Sequence, residues 1–343
     1  MTRQRPTERT SNDEELYSHF VVLGTSIAGG TVAANPPGDR MEMDRRDCVI
    51  IGGGPAGLTA AIYLARYHLS VVVFDNGTSR AASIPISHNH AGFPGGISGV
   101  KLLARMRAQA LMYGAEIRHQ EVNALCRMKG EFIITFGAGS LLARTVLMAT
   151  GLENRPPSMP KDKHDEAVGR GLIRYCPVCD GFEVTDKNVA VIGPGSMALK
   201  EAVFLRSYSR HITLLPTSEH EFGPNQHALL AQLGIPVESC PLKIEVEQDS
   251  ILVRTKTATL RFDSIYPAFG SKVRSELASE VGATLAADGC ISVDNHQRTA
   301  VPGLYAAGDV VIGLDQISHA MGQAGVAATT IRNDLSDLSP LIR

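Results

Sequence analysis

The pattern of apolar and polar positions predicts short buried strands separated by amphipathic helices. Residues 47–51 form an apolar run that predicts a strand, and residues 55–67 carry apolar side chains at helical spacing. A second strand is predicted over residues 70–74. Strand, helix and strand in this order are typical of a βαβ unit, in which the two strands lie parallel.

A second unit of the same kind is predicted further along the chain. Strands are predicted over 188–192 and 211–215, with a helix over 197–207 between them. The unit is expected to continue through weaker strands at 244–247, 250–255 and 260–262 and to end with a strand at 264–269. The fold class predicted is therefore α/β, with two Rossmann-like nucleotide-binding domains.

The remaining pattern fills in around these two units. A helix is predicted over 99–113, and three alternating runs at 122–128, 132–136 and 144–148 predict a small antiparallel meander. A polar, proline-rich crossover is expected over 153–163. A strand that runs into a Gly-Asp turn at 301–309 and a long helix at 318–335 complete the chain.

Glycines follow the first strand of the first unit in the order of a dinucleotide fingerprint. The first makes the tight turn, the second lets the backbone approach a pyrophosphate, and the third lets helix and strand pack closely. Asp75 ends the next strand, where an acid is expected to bind the ribose hydroxyls. The other candidate cofactor-binding residues of this turn are Gly52, Gly54, Pro55, Ala56 and Gly57.

The second fingerprint consists of Gly193, Gly195 and Ala198, with alanine tolerated at the third position. No Arg or Lys follows in residues 215–222, where a 2′-phosphate would need a cation. Glu219 and Glu221 would each repel that phosphate by roughly 1 kcal/mol or more at short range. Glu219 could instead bind an unphosphorylated ribose, which favours NADH, or this domain no longer binds a nicotinamide cofactor.

Two residues separate Cys176 from Cys179, and Asp180 follows Cys179 directly. Two thiols at this spacing between two nucleotide-binding units predict a redox-active pair. A structural disulfide and half of a zinc site are the alternatives, but no second pair of zinc ligands is evident in the sequence, and we predict no metal site. Asp180 is a candidate general acid or base, with a helix N-cap as the alternative.

Composition limits the classes of function. A net charge of −2 gives no field for binding nucleic acid or an anionic membrane, and we predict neither as a partner. Six cysteines in 343 residues do not form the disulfide framework of a small secreted protein. Residues 1–44 are expected to be a disordered extension, and the natural start is expected at Met41 or Met43, or residues 1–43 to be dispensable.

The order of these motifs resembles one family over about residues 45–337. The chain is similar to the low-molecular-weight thioredoxin reductases and their relatives among the FAD-dependent pyridine nucleotide-disulfide oxidoreductases. The motifs that carry the resemblance are Gly52-x-Gly54-x-x-Gly57, Ala149-Thr150-Gly151, Cys176-x-x-Cys179-Asp180-Gly181, Gly193-x-Gly195-x-x-Ala198 and Ala307-Gly308-Asp309.

The resemblance implies a discontinuous FAD domain at 45–152 and 279–343, with an NAD(P)H-type domain that carries the cysteine pair inserted at 153–278. It implies that Cys179 faces the flavin and that Cys176 attacks the disulfide of a partner. It further implies a homodimer and a thioredoxin-like protein or a small dithiol or disulfide as substrate. The cofactor-binding residues that it adds are Gly151, Gly308, Asp309, Gln316 and Ile317. We also predict a cytoplasmic location.

The predicted function is therefore an FAD-dependent disulfide oxidoreductase that passes electrons through FAD and the Cys176–Cys179 pair to a thioredoxin-like disulfide. NAD(P)H is the possible donor, and the second fingerprint argues against NADPH-specific binding. A dithiol oxidase, or a reductase fed by ferredoxin or another flavin, uses the same residues and remains an alternative. A flavin-bound redox sensor without enzymatic activity is the third possibility.

Overall fold

The structure is a computed structural model that describes residues 44–218 and 222–342. The extension predicted over residues 1–44 lies outside the described residues, apart from Asp44, and so does Glu219. The described strands are β1 Arg45–Ile51, β2 Val71–Phe74, β3 Glu116–Arg118, β4 Val122–Met128, β5 Glu131–Phe136, β6 Gly139–Met148, β7 Leu152–Asn154, β8 Val189–Ile192, β9 Ile212–Leu215, β10 Pro241–Val246, β11 Ile251–Thr255, β12 Thr259–Phe262, β13 Ser264–Pro267, β14 Ser271–Val273 and β15 Leu304–Ala306. The described helices are α1 Pro55–Arg66, α2 Gly99–Met112, α3 Lys161–Gly169, α4 Pro177–Asp180, α5 Gly195–Leu205, α6 Pro224–Leu233, α7 Glu276–Glu280 and α8 Ile317–Leu338, and short 3₁₀ turns lie at Arg80–Ser83 and Phe182–Val184.

The first sheet contains the first predicted βαβ unit. Its parallel strands lie in the order β3-β2-β1-β6, and β15 pairs with the last part of β6, also in parallel. The first part of β6 forms the predicted antiparallel meander with β4 and β5. Strand β6 is longer than its predicted apolar run because one strand serves both the meander and the parallel sheet.

Both faces of this sheet are covered, which explains its continuous apolar strands. On one face, Ile50 packs with residues of α1 and α8 such as Leu64 and Ala328. On the other face, Val49 packs with the meander and with residues that follow the second unit, such as Phe132 and Ile291. The short apolar run of β1 is therefore buried on alternate sides by different parts of the chain.

The second sheet has the parallel order β13-β8-β9. Helix α5 packs on it through Ala198, Ala202 and Leu205, which are fully buried. The weaker strands predicted at 244–247, 250–255 and 260–262 are present as β10, β11 and β12, and they form a separate antiparallel sheet beside the parallel one. In β11 the buried positions Ile251, Val253 and Thr255 alternate with more exposed ones, as in a sheet with one covered face.

The crossover predicted over residues 153–163 contains regular structure that the sequence pattern did not indicate. Strand β7 pairs antiparallel with β14, and α3 follows it. Helix α3 buries only Ala167 and carries ion pairs one turn apart, such as Lys161 Nζ to Asp165 Oδ2 at 2.6 Å. A helix with so little apolar surface gives no periodic signal, and the predicted division into domains at 153 and 278 stays a prediction.

Within the described ranges, no helix has the length and the apolar character that a membrane crossing requires.

Candidate functional site

A cavity of about 840 Å³ lies where the first sheet meets the segment that carries the cysteine pair. Its wall includes the turn before α1, the 3₁₀ turn after β2 and the segment that follows β6. The cysteines and the first residues of α8 complete it. The predicted residues that line this cavity are Gly52, Gly54, Pro55, Ala56, Asp75, Gly151, Cys176, Cys179, Asp180, Gly308, Asp309, Gln316 and Ile317.

The turn between β1 and α1 allows no side chain at its first and last glycines. Gly52 has a φ of +117°, and a Cβ there would lie 2.1 Å from the carbonyl oxygen of Ala149. A Cβ at Gly57 would lie 1.9 Å from the carbonyl oxygen of Gly52. The backbone is thus exposed to the cavity at the start of the helix, as a nucleotide cofactor requires.

The N-terminus of α1 is suited to an anion. Gly54 is its N-cap and provides no side-chain hydrogen bond, and Pro55 occupies the first turn. The first backbone N–H groups of a helix have no partner within the helix and carry partial positive charge. Because this helix end lines the cavity, the residues present fit the pyrophosphate of FAD.

Asp75 lies at the end of β2, as predicted, and is 3% exposed. Its Oδ2 accepts a hydrogen bond of 2.7 Å from Arg107 of α2, and its Oδ1 accepts one from the backbone N–H of Gly77 at 2.9 Å. The guanidinium of Arg107 therefore balances the charge of this buried carboxylate. The carboxylate also borders the cavity and can accept hydrogen bonds from a ribose.

Asp309 is also balanced by an arginine. Its Oδ2 lies 3.0 Å from Arg80 Nη1, in the 3₁₀ turn that follows β2. The preceding Gly308 has a φ of +85° and donates its N–H to Gln323 Oε1 of α8 at 2.8 Å. The Gly-Asp turn is thus fixed to the last helix on one side and to the first unit on the other.

The cysteine pair forms a disulfide at the start of the short helix α4, with the two Cα atoms 5.2 Å apart. Cys176 is the N-cap, and its Sγ accepts a hydrogen bond of 3.2 Å from the backbone N–H of Cys179. A thiolate at a helix N-cap is stabilised by such donors. The geometry therefore favours Cys176 as the sulfur that carries negative charge when the pair is reduced and meets a partner.

Asp180 is the last residue of α4 rather than an N-cap. Its Oδ2 accepts a hydrogen bond from Arg174 Nη1 at 3.0 Å, and its Oδ1 accepts one from the hydroxyl of Tyr266 at 2.8 Å. Burial raises the pKa of Asp180, and the guanidinium and the hydroxyl only partly offset that rise. A carboxyl with a raised pKa beside a disulfide can deliver a proton to a sulfur.

Gln316 is the N-cap of α8 and reaches the disulfide directly. Its Nε2 donates to Cys179 Sγ at 3.0 Å and to Cys176 Sγ at 3.3 Å. Its Oε1 accepts a hydrogen bond of 2.9 Å from Asn89 Nδ2. The structure thus brings the start of the last helix onto the cysteine pair.

Known proteins share this architecture. The chain matches the family model of the pyridine nucleotide-disulphide oxidoreductases over residues 46–324. It belongs to that family. It is 32% identical over 315 residues to a thioredoxin reductase of Streptomyces coelicolor, a match that covers 87% of this chain and 94% of that protein.

Two further comparisons agree. The chain is 32% identical over 286 residues to a bifunctional thioredoxin reductase/thioredoxin of Mycobacterium leprae, covering 77% of this chain but only 60% of that longer protein. A crystal structure of thioredoxin reductase from Streptococcus pyogenes superposes with a TM-score of 0.78 at 26% identity, covering 86% of this chain and all of that one. The predictions of the family, of the Rossmann-like α/β fold and of an FAD-dependent disulfide oxidoreductase are confirmed. The family binds FAD and a pyridine nucleotide.

In this oxidoreductase the second fingerprint lies apart from the cavity. Gly193, Gly195 and Ala198 form the turn from β8 into α5, and none of them lines the cavity that contains the disulfide. A Cβ at Gly193 would lie 2.6 Å from the carbonyl oxygen of Ala268, so this turn also requires glycine for close packing. Gly57 likewise serves packing and lies outside the cavity lining.

The sequence alone did not reveal several residues of the oxidoreductase's site. Arg107, Arg80, Arg174, Tyr266 and Asn89 each contact a predicted residue, but most lie far from it in sequence. Only Arg174, six positions before Asp180, was close enough to suggest pairing. Among the described residues, no group of three or more His, Cys, Asp or Glu side chains could hold a metal ion.

Proposed function

We propose that this oxidoreductase reduces the disulfide of a thioredoxin-like protein, with FAD and the Cys176–Cys179 pair in series. One observation carries the proposal: the disulfide borders the same cavity as the glycine turn and the start of α8. FAD, when bound, supplies and takes up the electron pair for this exchange. The names of the relatives support thioredoxin as the partner.

The FAD site is proposed to include residues from both ends of the chain. The N-terminus of α1, from Gly54, would bind the pyrophosphate, and Asp75 would bind the ribose of the adenosine. Asp309 and Gly308 would contact the ribityl and phosphate region. The N-terminus of α8, at Gln316 and Ile317, would present its partial positive charge to the flavin ring.

Side chains and backbone groups of the protein would transfer the proton and stabilise the negative charge on sulfur. Reduction of the disulfide requires two electrons and yields one thiol and one thiolate after uptake of one proton. Asp180 would donate and accept that proton, since its raised pKa keeps part of the carboxyl protonated above its usual range. Cys176, stabilised as a thiolate at the N-cap of α4, would attack the partner disulfide.

NADH is the proposed electron donor in preference to NADPH. The turn from β8 to α5 carries the glycines of the second fingerprint and admits no Cβ at Gly193, which supports a dinucleotide site there. Residues 215–222, from the last residue of β9 onward, contain two glutamates and no Arg or Lys. A carboxylate there suits a free ribose hydroxyl and disfavours a phosphate dianion.

Stopped-flow absorbance of the oxidised, FAD-loaded protein tests the proposal. The protein is mixed separately with NADH, NADPH and a dithiol, and a thioredoxin with an intact disulfide is then added. We expect NADH to bleach the flavin band faster than NADPH by about tenfold or more, and thioredoxin to restore it. Bleaching by dithiols alone would instead assign the protein as a dithiol oxidase, and faster bleaching by NADPH would refute the proposed donor.

We also propose a homodimer and a cytoplasmic location. Cys48, Cys126, Cys240 and Cys290 are free thiols in the structure, as is usual for proteins of a reducing compartment. Several large apolar side chains are exposed on α2, including Val100 and Met112 at 61% and 76%. Light scattering coupled to gel filtration distinguishes a dimer from a monomer.

A further inference from the structure

The disulfide accepts hydrogen bonds from an amide, and a series of hydrogen-bonded side chains fixes the orientation of that amide. A disulfide sulfur carries no hydrogen, so only the Nε2 side of Gln316 can donate to it. That orientation directs Oε1 of Gln316 toward Asn89, whose Nδ2 donates to it at 2.9 Å. Asn89 Oδ1 in turn accepts the hydroxyl hydrogen of Ser87 at 3.1 Å.

The loop that carries Asn89 is closed at its base. Ser87 and Ile97 exchange both backbone hydrogen bonds, at 2.8 and 3.0 Å, and both residues are buried. Ile97 and the partly buried Phe93 belong to the apolar cluster around α2. Asn89 is therefore held on a short loop that is tied to the core, so its amide defines the direction of the Gln316 amide.

We propose that Gln316 stabilises the negative charge of the reduced pair while it lies on Cys179, the sulfur nearer its Nε2, before a partner disulfide meets Cys176. We further propose that Asn89 is the positioning residue that keeps the Nε2 donor on sulfur. The inference rests on the proposed redox role of the cysteine pair and names two further residues for that reaction. When a dithiol or another two-electron donor reduces the pair, the S–S bond breaks, one sulfur takes a proton and the other keeps the negative charge. A thiolate accepts hydrogen bonds more strongly than a disulfide sulfur, so the Nε2 donor favours the reduced state.

The substitution Asn89→Asp tests this series of hydrogen bonds, because the new side chain has nearly the same volume as asparagine. An aspartate can accept from Ser87 but cannot donate to Gln316 Oε1, so the Gln316 amide turns and its oxygen faces the sulfurs. Gln316→Leu removes the donor altogether, and Asn89→Ala removes the positioning group without adding charge. Asn295→Asp, on an exposed turn, is the matched control for one added negative charge.

The readouts are independent of nicotinamide and of a protein partner. FAD-loaded protein is equilibrated in glutathione buffers, and the fraction of the Cys176–Cys179 disulfide is measured by thiol labelling and mass spectrometry. The pH dependence of Cys179 alkylation in the reduced protein reports its thiolate. We expect Gln316→Leu to disfavour the reduced pair by about tenfold, or roughly 30 mV for two electrons, and to shift Cys179 alkylation to higher pH.

The shift of the disulfide equilibrium in Asn89→Ala is expected to lie between those of the wild type and Gln316→Leu. The shift in Asn89→Asp is expected to equal or exceed that in Gln316→Leu. In a Gln316→Leu background, Asn89→Asp should add little, because its effect acts through the amide. The inference is overturned if Gln316→Leu and Asn89→Asp both stay within twofold of the wild type, or if Asn89→Asp has its full effect without Gln316. Failure to turn over thioredoxin would refute the proposed function but would leave these potentials measurable.

Discussion

At the scale of single residues, Glu201 of α5 is a buried carboxyl that the proposed reaction does not use. Its Oε2 is buried and has no hydrogen-bond partner among the described residues. Burial raises the pKa of Glu201 from 4.5 to about 7. Ionising this group inside the fold therefore costs free energy, and the cost depends on pH.

Between pH 4.5 and about 7, Glu201 keeps its proton in the folded protein but is ionised in the unfolded chain. Stability falls as pH rises wherever the folded state binds more protons, so the protein loses roughly 2–3 kcal/mol across that range from this group. We expect Glu201→Gln to raise the free energy of unfolding by about that amount at pH 8 and to change it little at pH 4.5.

Urea unfolding of the FAD-loaded protein at both pH values measures this difference. Asp249→Asn, at an exposed position in the turn between β10 and β11, is the control and should show no comparable dependence. An equal effect of Glu201→Gln at the two pH values would mean that packing rather than ionisation decides its contribution.

Asp180 gives a second prediction at this scale. Asp180→Asn leaves the shape of the site but removes the proton donor, so we expect single-turnover reduction of the disulfide to slow by about 10²-fold or more. In the wild type the rate should fall as pH rises through the raised pKa of Asp180, because the protonated form is lost. The variant should lack that fall.

Tyr266→Phe is the informative companion variant. The Tyr266 hydroxyl lowers the pKa of Asp180 by donating to its carboxylate, so its removal should raise that pKa further. The fall in rate should then move to higher pH, while the maximal rate at low pH stays near that of the wild type. Rates followed by thiol labelling across pH 4–8 would contradict the assignment if both variants kept the wild-type profile.

Sequence reasoning found residues whose type is required by the backbone or by their own chemistry. Gly52 and Gly57 are dictated by atoms within 2.1 Å of a hypothetical Cβ, and Cys176 and Cys179 are three positions apart in one short motif. Arg107 and Tyr266 were missed because many side chains can donate to a carboxylate, and their choice depends on tertiary neighbours.

At the scale of elements, the turn between β1 and α1 combines a cofactor site with close packing. We expect Gly57→Ala to destabilise the protein by about 1–3 kcal/mol or more and to weaken FAD retention, because its Cβ would meet the Gly52 carbonyl oxygen. Gly322→Ala in α8 is the matched control, since apart from its own turn of helix no atom of the described residues lies within 4 Å of the added Cβ. It should be neutral or stabilise by up to about 1 kcal/mol.

Thermal unfolding and the ratio of flavin to protein absorbance measure both effects. If the two alanine variants behaved alike, the close contact at Gly57 would not limit this turn.

Elements were predictable in proportion to their apolar burial. Strands β1, β2 and β8 and helices α1 and α8 have strong patterns and lie within a few residues of their predictions. Helix α3 buries only Ala167 and α6 only Leu230, so neither produced a periodic signal. The strands β10, β11 and β12 were predicted, but their separate antiparallel sheet was not, because strand patterns reveal exposure and not which strands pair.

At the scale of the whole molecule, the described residues that line the cavity lie between Ile51 and Ala320. We therefore expect a chain that begins at Met43 to fold and to retain FAD, because it keeps every described residue of the cavity wall. Flavin content, unfolding temperature and disulfide reduction should stay within experimental error of the full chain. Loss of flavin on this truncation would show that residues 1–42 contribute to the site.

The pairing of β15 with β6 has a consequence for biosynthesis. Leu304 pairs with Val146 although the whole second unit lies between them in the chain. A nascent chain that has not reached residue 304 therefore presents the last part of β6 as an open sheet edge, which other chains can pair with. The second sheet can form before that point, whereas the cavity is complete only after β15 and α8 have been synthesised. Capture of the cofactor is thus among the last events of synthesis, and chaperone protection should matter most in the interval between the two units.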